Sequence, residues 1–257
     1  MPPDHSRNKR RFERGSRFEA GDAGGSPTFA EPGAGPTKQP FLRFFRRPPR
    51  QSRSRALVDA ILTALEDRLG SEPDADGWTI EGVLERAGVG VGSFYEYFAT
   101  KDSMLGALVG ALTERNFVTL LAVVDASLDR SLEETLRIVG DEVAKTYLGR
   151  PRTTRTVIAA IGRLGLMHPV QTARDRFAGE LASRAQRFLP DCDEEDLAET
   201  FRVHADATMG VIAAELLRNS NPDVHLWGER IATSCLVMLR ARHGASVQRA
   251  EPEAESP

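Results

Sequence analysis

Side chains that can donate hydrogen bonds to an anion are concentrated between residues 93 and 101. Ser93, Tyr95 and Tyr97 carry hydroxyls, and Lys101 carries an ammonium group. Such groups can donate to the phosphate oxygens of a nucleic acid, which sets the register of a protein on a duplex without reading the bases. Ser93 is the one side chain that we predict to hydrogen-bond to a base edge. Val91 could read only a thymine methyl, because it has no donor or acceptor.

Two short helices joined by a tight turn would position these groups. Thr79 is a suitable N-cap for the first helix, since its hydroxyl can accept a hydrogen bond from a first-turn amide. Gly88 can adopt the left-handed conformation that ends this helix and turns the chain. This is the pattern of a helix-turn-helix, whose second helix fits the DNA major groove of about 12 Å. That helix, from about residue 90 to residue 98, would bury Phe94 and Phe98 and leave Val91, Gly92, Ser93, Tyr95 and Tyr97 facing outward.

The same residues resemble the signature of the TetR family of transcriptional regulators. Residues 87–98 read Ala-Gly-Val-Gly-Val-Gly-Ser-Phe-Tyr-Glu-Tyr-Phe, and Thr100-Lys101-Asp102 and Leu105 follow. The family form is A-G-V-S-x-G-[ST]-[LF]-Y-x-[HY]-F-x-[ST]-K-[ED]-x-L. The resemblance implies an all-α protein, with an N-terminal three-helix helix-turn-helix domain followed by an α-helical effector-binding and dimerisation domain. It also implies that Tyr95, Tyr97 and Lys101 contact DNA phosphates.

The charge of the chain is distributed unevenly. The net charge is −3, but residues 1–55 carry 13 Lys and Arg against 5 Asp and Glu, a local charge of +8 that leaves −11 for the remainder. A basic segment beside a helix-turn-helix and an acidic body suit a protein that touches nucleic acid at one end only. Arg53 and Arg55 lie immediately before and at the start of the first predicted helix, where an arm can enter the adjacent minor groove. The predicted set of DNA-contacting residues is completed by Thr79, Val91 and Gly92.

Composition divides the chain into four segments. Residues 1–52 are rich in Gly, Pro, Arg and Ser and predict a disordered basic arm, because such a segment buries too little apolar surface to offset the entropy of ordering. Residues 53–101 form the predicted helix-turn-helix domain, residues 102–243 the helical ligand-binding and dimerisation domain, and residues 244–257 a disordered tail. Within the arm, residues 41–47 are basic and aromatic. They are either a patch that contacts DNA or a partner, a solvated tail, or sequence upstream of the true start codon.

Helical periodicity continues from residue 102 to about residue 242. A capping box at Ser131, breaks near Pro151 and at His168-Pro169, and a start signal at Asn221-Pro222 divide this region. Together with a first helix over 54–69, the predicted helices cover 102–126, 131–147, 157–166, 170–188, 193–219 and 221–242.

The last two helices are predicted to hold two subunits together. The resemblance implies that they pack against the same pair of a second copy, which makes the protein a homodimer. Two-fold pairing also doubles the number of bases that one short recognition helix can read. The alternative is that both helices only close the core of one subunit. Small residues that would allow close helix approach are Ala205, Ala213, Ala214, Ala232 and Ser234.

Family bodies usually enclose a small molecule, so polar residues on apolar helical faces are the candidates for a ligand site. We predict that Tyr147, His168 and His204 contact an apolar or aromatic effector. The histidines also have a structural interpretation, because a lone histidine among apolar residues is commonly a hydrogen-bonded core residue. Further polar groups on such faces are Asn116, Thr208 and Arg163, the last of which we interpret as a surface arginine.

The sequence predicts a regulator rather than an enzyme. It contains no Gly-x-Ser-x-Gly, no phosphate-cradling glycine loop and no His/Cys cluster, so we predict no catalytic, metal or cofactor site. Cys192 and Cys235 are predicted to be reduced thiols, and neither a signal peptide nor a membrane-length apolar run is recognised, which predicts a cytoplasmic protein. The predicted function is repression by a homodimer on a palindromic operator in double-stranded DNA, released by a small effector. The alternative is a TetR-like regulator with no small-molecule ligand, controlled by a protein partner.

Overall fold

The computed structural model of the protein describes residues 39–71 and 77–250. No strand occurs in these ranges, and the all-α fold predicted from the sequence is confirmed. The helices are α1 (Gln39–Leu42), α2 (Ser52–Ser71), α3 (Ile80–Ala87), α4 (Val91–Tyr97), α5 (Lys101–Asp125), α6 (Leu132–Leu148), α7 (Pro151–Arg163), α8 (Met167–Ala185), α9 (Glu194–Arg218) and α10 (Val224–Ala250).

Helices α2, α3 and α4 form a three-helix unit around a shared apolar core. Ile61 and Leu65 of α2, Leu84 of α3 and Phe94 of α4 are almost completely buried in it, and Phe98 closes it after α4. Each aliphatic or aromatic side chain of this kind contributes about 1.5–3 kcal/mol by leaving water. The core therefore fixes the orientation of α4 relative to the two helices behind it.

Helix α5 leads from this unit into the rest of the protein. Thr100 and Ser103 form a capping box at its start, with reciprocal hydrogen bonds of 3.0 and 2.9 Å. Residues 104–112 are all buried. By length and hydropathy alone this 25-residue helix could cross a membrane, although the sequence analysis recognised no such run. Its apolar composition is explained by packing, because these residues belong to the core shared with α2.

Residues 39–47, which we call the strap, are folded onto α5. Phe41 and Phe45 are 4% and 7% exposed and belong to the same core as α2 and α5. The Phe41 ring fills the space beside Gly110, where a Cβ atom would lie 2.6 Å from it. The prediction of disorder is wrong for these residues, because closely spaced phenylalanines bury enough apolar surface to order the segment.

The strap also contacts α5 one turn earlier and reaches beyond the helix. The Phe44 ring lies beside Gly106, where a Cβ atom would come within 2.5 Å of it. Arg43 donates a hydrogen bond to the carbonyl oxygen of Leu164 at 2.9 Å. The strap therefore links α5 to the turn between α7 and α8.

Helices α6 to α10 form the body, in which α6 packs on α10 and α8 packs on α9. The α6–α10 contact is close at two glycines: a Cβ atom on Gly140 would lie 2.5 Å from the carbonyl oxygen of Gly228. The same Cβ would lie 3.1 Å from Cβ of Ala232. Ala232 thus packs inside one subunit, which favours the alternative interpretation for this residue.

Several helix boundaries differ from those predicted. Helix α7 begins at Pro151 rather than at residue 157, because proline suits the first turn of a helix. The break before α8 falls at Gly165, whose φ is 65°, and His168-Pro169 lie inside the first turn of α8. Helix α10 begins after Asp223, whose carboxylate accepts a hydrogen bond from a first-turn amide at 3.0 Å. Asp223, rather than Asn221, therefore caps this helix.

The end of α10 also differs from the prediction. The helix is kinked at His243 (φ −127°, ψ 27°) and then continues to the end of the described residues. Val247 is fully buried in the core formed by α8, α9 and α10. The predicted disordered tail is therefore wrong for residues 244–250, because Val247 anchors the last turns. The rest of the predicted tail, 251–257, and arm residues 1–38 lie outside the described residues.

Candidate nucleic-acid interface

The helix-turn-helix consists of α3, residues 88–90 and α4. The amide of Gly82 donates to Oγ1 of Thr79 at 3.1 Å, so Thr79 is the N-cap of α3. Gly88 has φ 66° and ψ 31°, and the amide that follows it donates to a carbonyl oxygen of the last turn at 3.0 Å. This left-handed termination turns the chain sharply into α4. The cap of α4, Gly90, makes no side-chain hydrogen bond.

Helix α4 is buried on one side and exposed on the other. Phe94 is fully buried, whereas Val91 and Tyr95 are 51% and 49% exposed. Gly92 is also exposed, and Ser93 is half-buried. These four residues lie on the side that was predicted to enter the major groove. Their contacts with DNA stay a prediction.

Tyr97 does not face outward as predicted. It is 7% exposed and belongs to the core of the three-helix unit. Its hydroxyl lies beside Ser54 of α2 and Glu96. Burial, together with the nearby Glu96 carboxylate, raises the pKa of Tyr97. The prediction is wrong because the strap and the start of α2 lie over this side chain, and the amide of Arg46 donates to the carbonyl oxygen of Tyr97 at 2.8 Å.

Lys101 holds the entry to α3. Its Nζ donates to the carbonyl oxygen of Trp78 at 2.7 Å and lies 4.0 Å from the centroid of the indole ring. An ammonium over an aromatic face is attracted to the negative face of the ring. These contacts give Lys101 a positioning role, since Trp78 lies directly before the N-cap of α3 and is itself buried. The predicted phosphate contact of Lys101 stays a prediction.

Two arginines of the strap bind the C-terminal end of α4. The guanidinium of Arg46 donates to the carbonyl oxygen of Tyr95 at 3.1 Å. Arg47 pairs with Glu96 at 3.1 Å. Cations at a helix C-terminus complement the negative end of its dipole. This role of the two arginines was not predicted from the sequence, although the alternation of Phe and Arg in the strap indicates a segment that packs on one side and carries charge on the other.

The arginines predicted to reach the minor groove lie inside a helix. Helix α2 begins at Ser52, so Arg53 and Arg55 belong to its first turn rather than to a preceding arm. The guanidinium of Arg55 donates to the carbonyl oxygen of Arg50 at 3.0 Å, and Arg53 is exposed. Their predicted contact with DNA stays a prediction.

The body encloses a second candidate site, a cavity of about 920 Å³. Its wall comes mainly from α5, α6, α8 and α9 and is mostly apolar, with residues such as Leu136, Val139, Phe177 and Leu181. Small-molecule sites in proteins have volumes of about 300–1,000 Å³ and few polar groups. The cavity therefore has the size and the lining of a site for an apolar molecule.

Two of the three predicted ligand contacts line this cavity. The hydroxyl of Tyr147 hydrogen-bonds with Asn116, and burial raises the pKa of Tyr147 against the opposing effect of Asn116. Nε2 of His204 lies 2.9 Å from Oγ of Ser234, and burial lowers the pKa of His204. Both side chains are therefore neutral at pH 7. Thr208 lines the cavity as well.

The third predicted ligand contact, His168, is exposed and does not line the cavity. That prediction is wrong because α8 begins before His168, which places the side chain on the outer side of its first turn. Arg163 pairs with Asp102 at 2.6 Å, with both side chains about half exposed. The interpretation of Arg163 as a surface arginine therefore fits the structure.

One end of the cavity touches the helix-turn-helix domain. Glu66 of α2 is 3% exposed, and Arg115 of α5 donates to both of its carboxylate oxygens at 2.9 and 2.7 Å. Arg150, the residue before α7, donates to the same carboxylate at 3.1 Å. All three side chains line the cavity. This Glu66 cluster ties α2 of the helix-turn-helix domain to α5 and to the start of α7.

The outer faces of α9 and α10 expose apolar side chains. Leu217 of α9 is 86% exposed, and Val211 and Val237 are about half exposed. Of the small residues predicted to allow close helix approach, Ala205 and Ala213 line the cavity instead.

Both cysteines are buried free thiols. Burial raises the pKa of Cys235 to about 12, so this thiol stays protonated at neutral pH. Within residues 39–71 and 77–250, no group of three or more His, Cys, Asp or Glu side chains could hold a metal ion.

Fold and site together define an all-helical protein that presents a helix-turn-helix on a larger helical body. The family described as bacterial regulatory proteins, TetR family, matches residues 68–108. The crystal structure of a protein assigned to the TetR-family transcriptional regulators of Mesorhizobium loti MAFF303099 has a similar fold, with a TM-score of 0.61 and 17% identity. The similarity covers 74% of this chain and 98% of that one. No curated protein matches the sequence. The resemblance to the TetR family that the sequence predicted is therefore confirmed for residues 68–108, and the similar structure shows that the fold is shared over most of the chain.

Proposed function

We propose that the protein is a repressor that binds a palindromic operator in double-stranded DNA as a homodimer. The exposed side of α4 is the observation that carries this proposal. Val91 and Tyr95 remain half exposed while Phe94, on the opposite side, is completely buried. A short helix held in this way can enter the major groove and read base edges.

Each residue on that side has a proposed role. We assign Tyr95 to a phosphate oxygen, Ser93 to a base edge and Val91 to a thymine methyl. Lys101 holds Trp78 and keeps its proposed contact with a phosphate oxygen, and Tyr97 is part of the domain core. The proposed contact set is completed by Thr79, Gly92, Arg53 and Arg55.

Selection of bound fragments from the source genome identifies the operator, and gel-shift titration then tests the roles. Tyr95→Phe removes one neutral donor, so affinity should fall about fivefold on all sequences, with the salt dependence unchanged. Arg53→Gln removes a charge, so the slope of log K against log salt should decrease by about 0.9. Tyr97→Phe is the matched control, because its hydroxyl lies beside Ser54 and Glu96. Loss of affinity in Tyr97→Phe alone would contradict these assignments.

Dimer formation through α9 and α10 is part of the proposal. The apolar side chains on their outer faces, which include Val211, Leu217 and Val237, would be covered by a second subunit. Exposed apolar surface of this kind is typical of interaction sites. Two recognition helices related by a two-fold axis would read two half-sites about one helical turn apart.

The cavity supports release of the repressor by a small effector. Its lining includes Glu66 of α2 and residues of both proposed dimer helices, so a ligand that fills the cavity of about 920 Å³ would contact both. A ligand that prefers a dimer with wrongly spaced recognition helices would shift the population away from the DNA-bound form. Native mass spectrometry of freshly purified protein tests this step. A copurified small molecule supports an effector, whereas a bound protein would favour the alternative of control by a protein partner.

We also propose a cytoplasmic location and no catalytic activity. A repressor must reach DNA, and its proposed residues bind and position rather than transfer protons or groups. The neutral state of Tyr147 and His204 in the cavity suits an apolar ligand better than a reacting one.

A further inference from the structure

We propose that the effector is an amphipathic anion whose acid group binds beside Arg115 and Arg150, and that it acts by drawing these arginines away from Glu66. This inference rests on the proposed role of the cavity as the effector site. It names the chemical class of the ligand and the contact through which the ligand acts.

The charged side chains that line the cavity are paired away from the Glu66 cluster. Five lining side chains are basic and three are acidic. Arg174 binds Asp206 at 2.6 Å, Lys145 lies 3.9 Å from Glu142, and Arg184 binds Asp125 and Glu180, which lie outside the lining, at 2.6 and 2.7 Å. The Glu66 cluster is therefore the part of the lining where a negative ligand would bind. The basic lining residues are Arg115, Lys145, Arg150, Arg174 and Arg184, and the acidic ones are Glu66, Glu142 and Asp206.

At the Glu66 cluster two guanidinium groups share one carboxylate. Asp67 lies 3.9 Å from Arg150, but Arg86 binds it with hydrogen bonds of 3.2 and 2.9 Å. Asp67 and Arg86 therefore neutralise each other and do not change the ratio of two guanidinium groups to one carboxylate at Glu66. Guanidinium groups bind carboxylates and phosphates with strong, charge-assisted hydrogen bonds.

The rest of the cavity suits the apolar part of such a ligand. Side chains such as Leu120, Leu136, Phe177 and Leu181 line it, and its volume is large enough for a drug-sized molecule. An apolar wall that ends at a positive cluster fits a molecule with an apolar body and one acidic group at its end.

The same cluster can transmit binding to the recognition helix. Glu66 belongs to α2, which packs on α3, whereas Arg115 belongs to α5 and Arg150 directly precedes α7. A second contact runs alongside, from Arg152 to the carbonyl oxygen of Ser71 at 3.2 Å. A ligand anion that competes for the two arginines weakens the hold of the body on α2. The orientation of the helix-turn-helix relative to the body is then less tightly fixed.

The ligand class is tested with three probes of equal chain length on the full protein without DNA: decanoate, decanol and decyltrimethylammonium. Tryptophan fluorescence and the melting temperature report binding, since Trp78 lies in the helix-turn-helix domain and Trp227 lies on α10. Decanoate should bind about tenfold tighter than decanol, because one additional hydrogen bond to a charged group changes the affinity by about this factor. Decyltrimethylammonium should bind more weakly than both. Equal affinity for decanoate and decanol, or preference for the cation, would overturn the proposal.

Two variants test where the acid group of the ligand binds. Glu66→Gln keeps the shape of the side chain but removes the competing charge, so decanoate should bind several-fold tighter while decanol is unaffected. Arg150→Gln should reduce the preference for decanoate, and this half-exposed side chain can be replaced without emptying the core. Arg184→Gln, at another part of the lining, is the matched control and should keep the preference. Unchanged decanoate affinity in both Glu66→Gln and Arg150→Gln would place the anion elsewhere and overturn the assignment.

The coupling is tested by adding decanoate to gel shifts on the selected operator. Decanoate should release the wild-type protein, and Glu66→Gln should bind the operator more weakly even without ligand. Tight decanoate binding with unchanged operator affinity would overturn the coupling step. Failure to select any DNA would instead contradict the proposed function, and the probe titrations, which contain no DNA, distinguish the two failures.

Discussion

His204 is a neutral histidine that joins two helices of the body at the cavity wall. Its ring hydrogen-bonds with Oγ of Ser234 and with the backbone of Ile231, both on α10, while His204 itself belongs to α9. Burial lowers its pKa below the ordinary value of 6.5, and the Ile231 backbone opposes this shift only partly. The pKa of His243 is lowered too, by burial and by the charge of Arg242.

These shifts predict that acid destabilises the protein. At a pH below about 6.5 the unfolded chain takes up protons that the folded protein binds less readily, so the free energy of unfolding falls as the pH decreases. Above that range it is constant with respect to these groups. His204→Gln should make the loss between pH 7.5 and pH 5.5 smaller, with the part due to His243 remaining. Urea denaturation at fixed protein concentration measures the free energy of unfolding at each pH. An equal decrease in the wild-type protein and in His204→Gln would contradict a lowered pKa of His204.

Individual residues also show which features of the site can be predicted from the sequence and which cannot. The exposure of Val91 and Tyr95 and the burial of Phe94 follow from helical spacing, and the structure agrees. Tyr97 is two positions beyond Tyr95, which rotates it well around the helix, and it is covered by α2 and the strap. No local pattern reveals such a cover, because it comes from segments more than 40 residues earlier in the chain.

Among the elements, the strap has the largest effect that local patterns do not predict. Capping residues such as Thr79 and Ser131 act within one turn, so the sequence predicts them directly. The strap is ordered by contacts with α5, whose glycines Gly106 and Gly110 provide the space for phenylalanine rings. A composition rich in Gly, Pro and Arg predicted disorder, and the long-range contacts override it.

A glycine-to-alanine pair of variants tests the docking of the strap. Alanine in place of a helical glycine ordinarily stabilises by about 0.5–1 kcal/mol. Gly110→Ala should instead destabilise by about 1–3 kcal/mol, because the new methyl overlaps the Phe41 ring. Gly179→Ala on α8 is the control and should stabilise, since nothing lies within 4 Å of its Cβ position. Thermal unfolding measures both changes.

A double variant separates overlap from other causes. With Phe41→Ala in place, the added methyl of Gly110→Ala has room, and the second substitution should become neutral or stabilising. If Gly110→Ala stabilises the wild-type protein as Gly179→Ala does, the strap is not docked on α5.

On the scale of the whole molecule, the proposed recognition helix is joined to the body by several connections, three of which run through different elements. Helix α5 is continuous from one to the other, the Glu66 cluster bridges α2 to α5 and α7, and the strap joins the end of α4 to the α7–α8 turn. Helical periodicity in the sequence predicted only the first of them, as a helix over 102–126. The other two consist of arginines bound to distant groups, which periodicity does not reveal. Movements in the body can therefore reach α4 by more than one path.

In the proposed dimer, such movements change the spacing between the two recognition helices. The dimer also predicts what happens when charged side chains are introduced into its interface. Val211→Glu combined with Val237→Glu places a carboxylate on the outer face of each dimer helix. Each subunit should remain folded on its own, because the side chains of Val211 and Val237 are about half exposed in the single subunit. The dimer should dissociate, since burying four carboxylates without partners is strongly unfavourable.

Light scattering should therefore give half the mass of the wild-type protein, with the helical circular dichroism retained. Operator affinity should fall by about 10²-fold or more, because each half-site is then bound independently. Val118→Glu is the matched control: Val118 is equally exposed but lies on α5, away from the proposed interface. If the charged variant keeps the wild-type mass, or if Val118→Glu dissociates the protein equally, the subunits do not meet through α9 and α10.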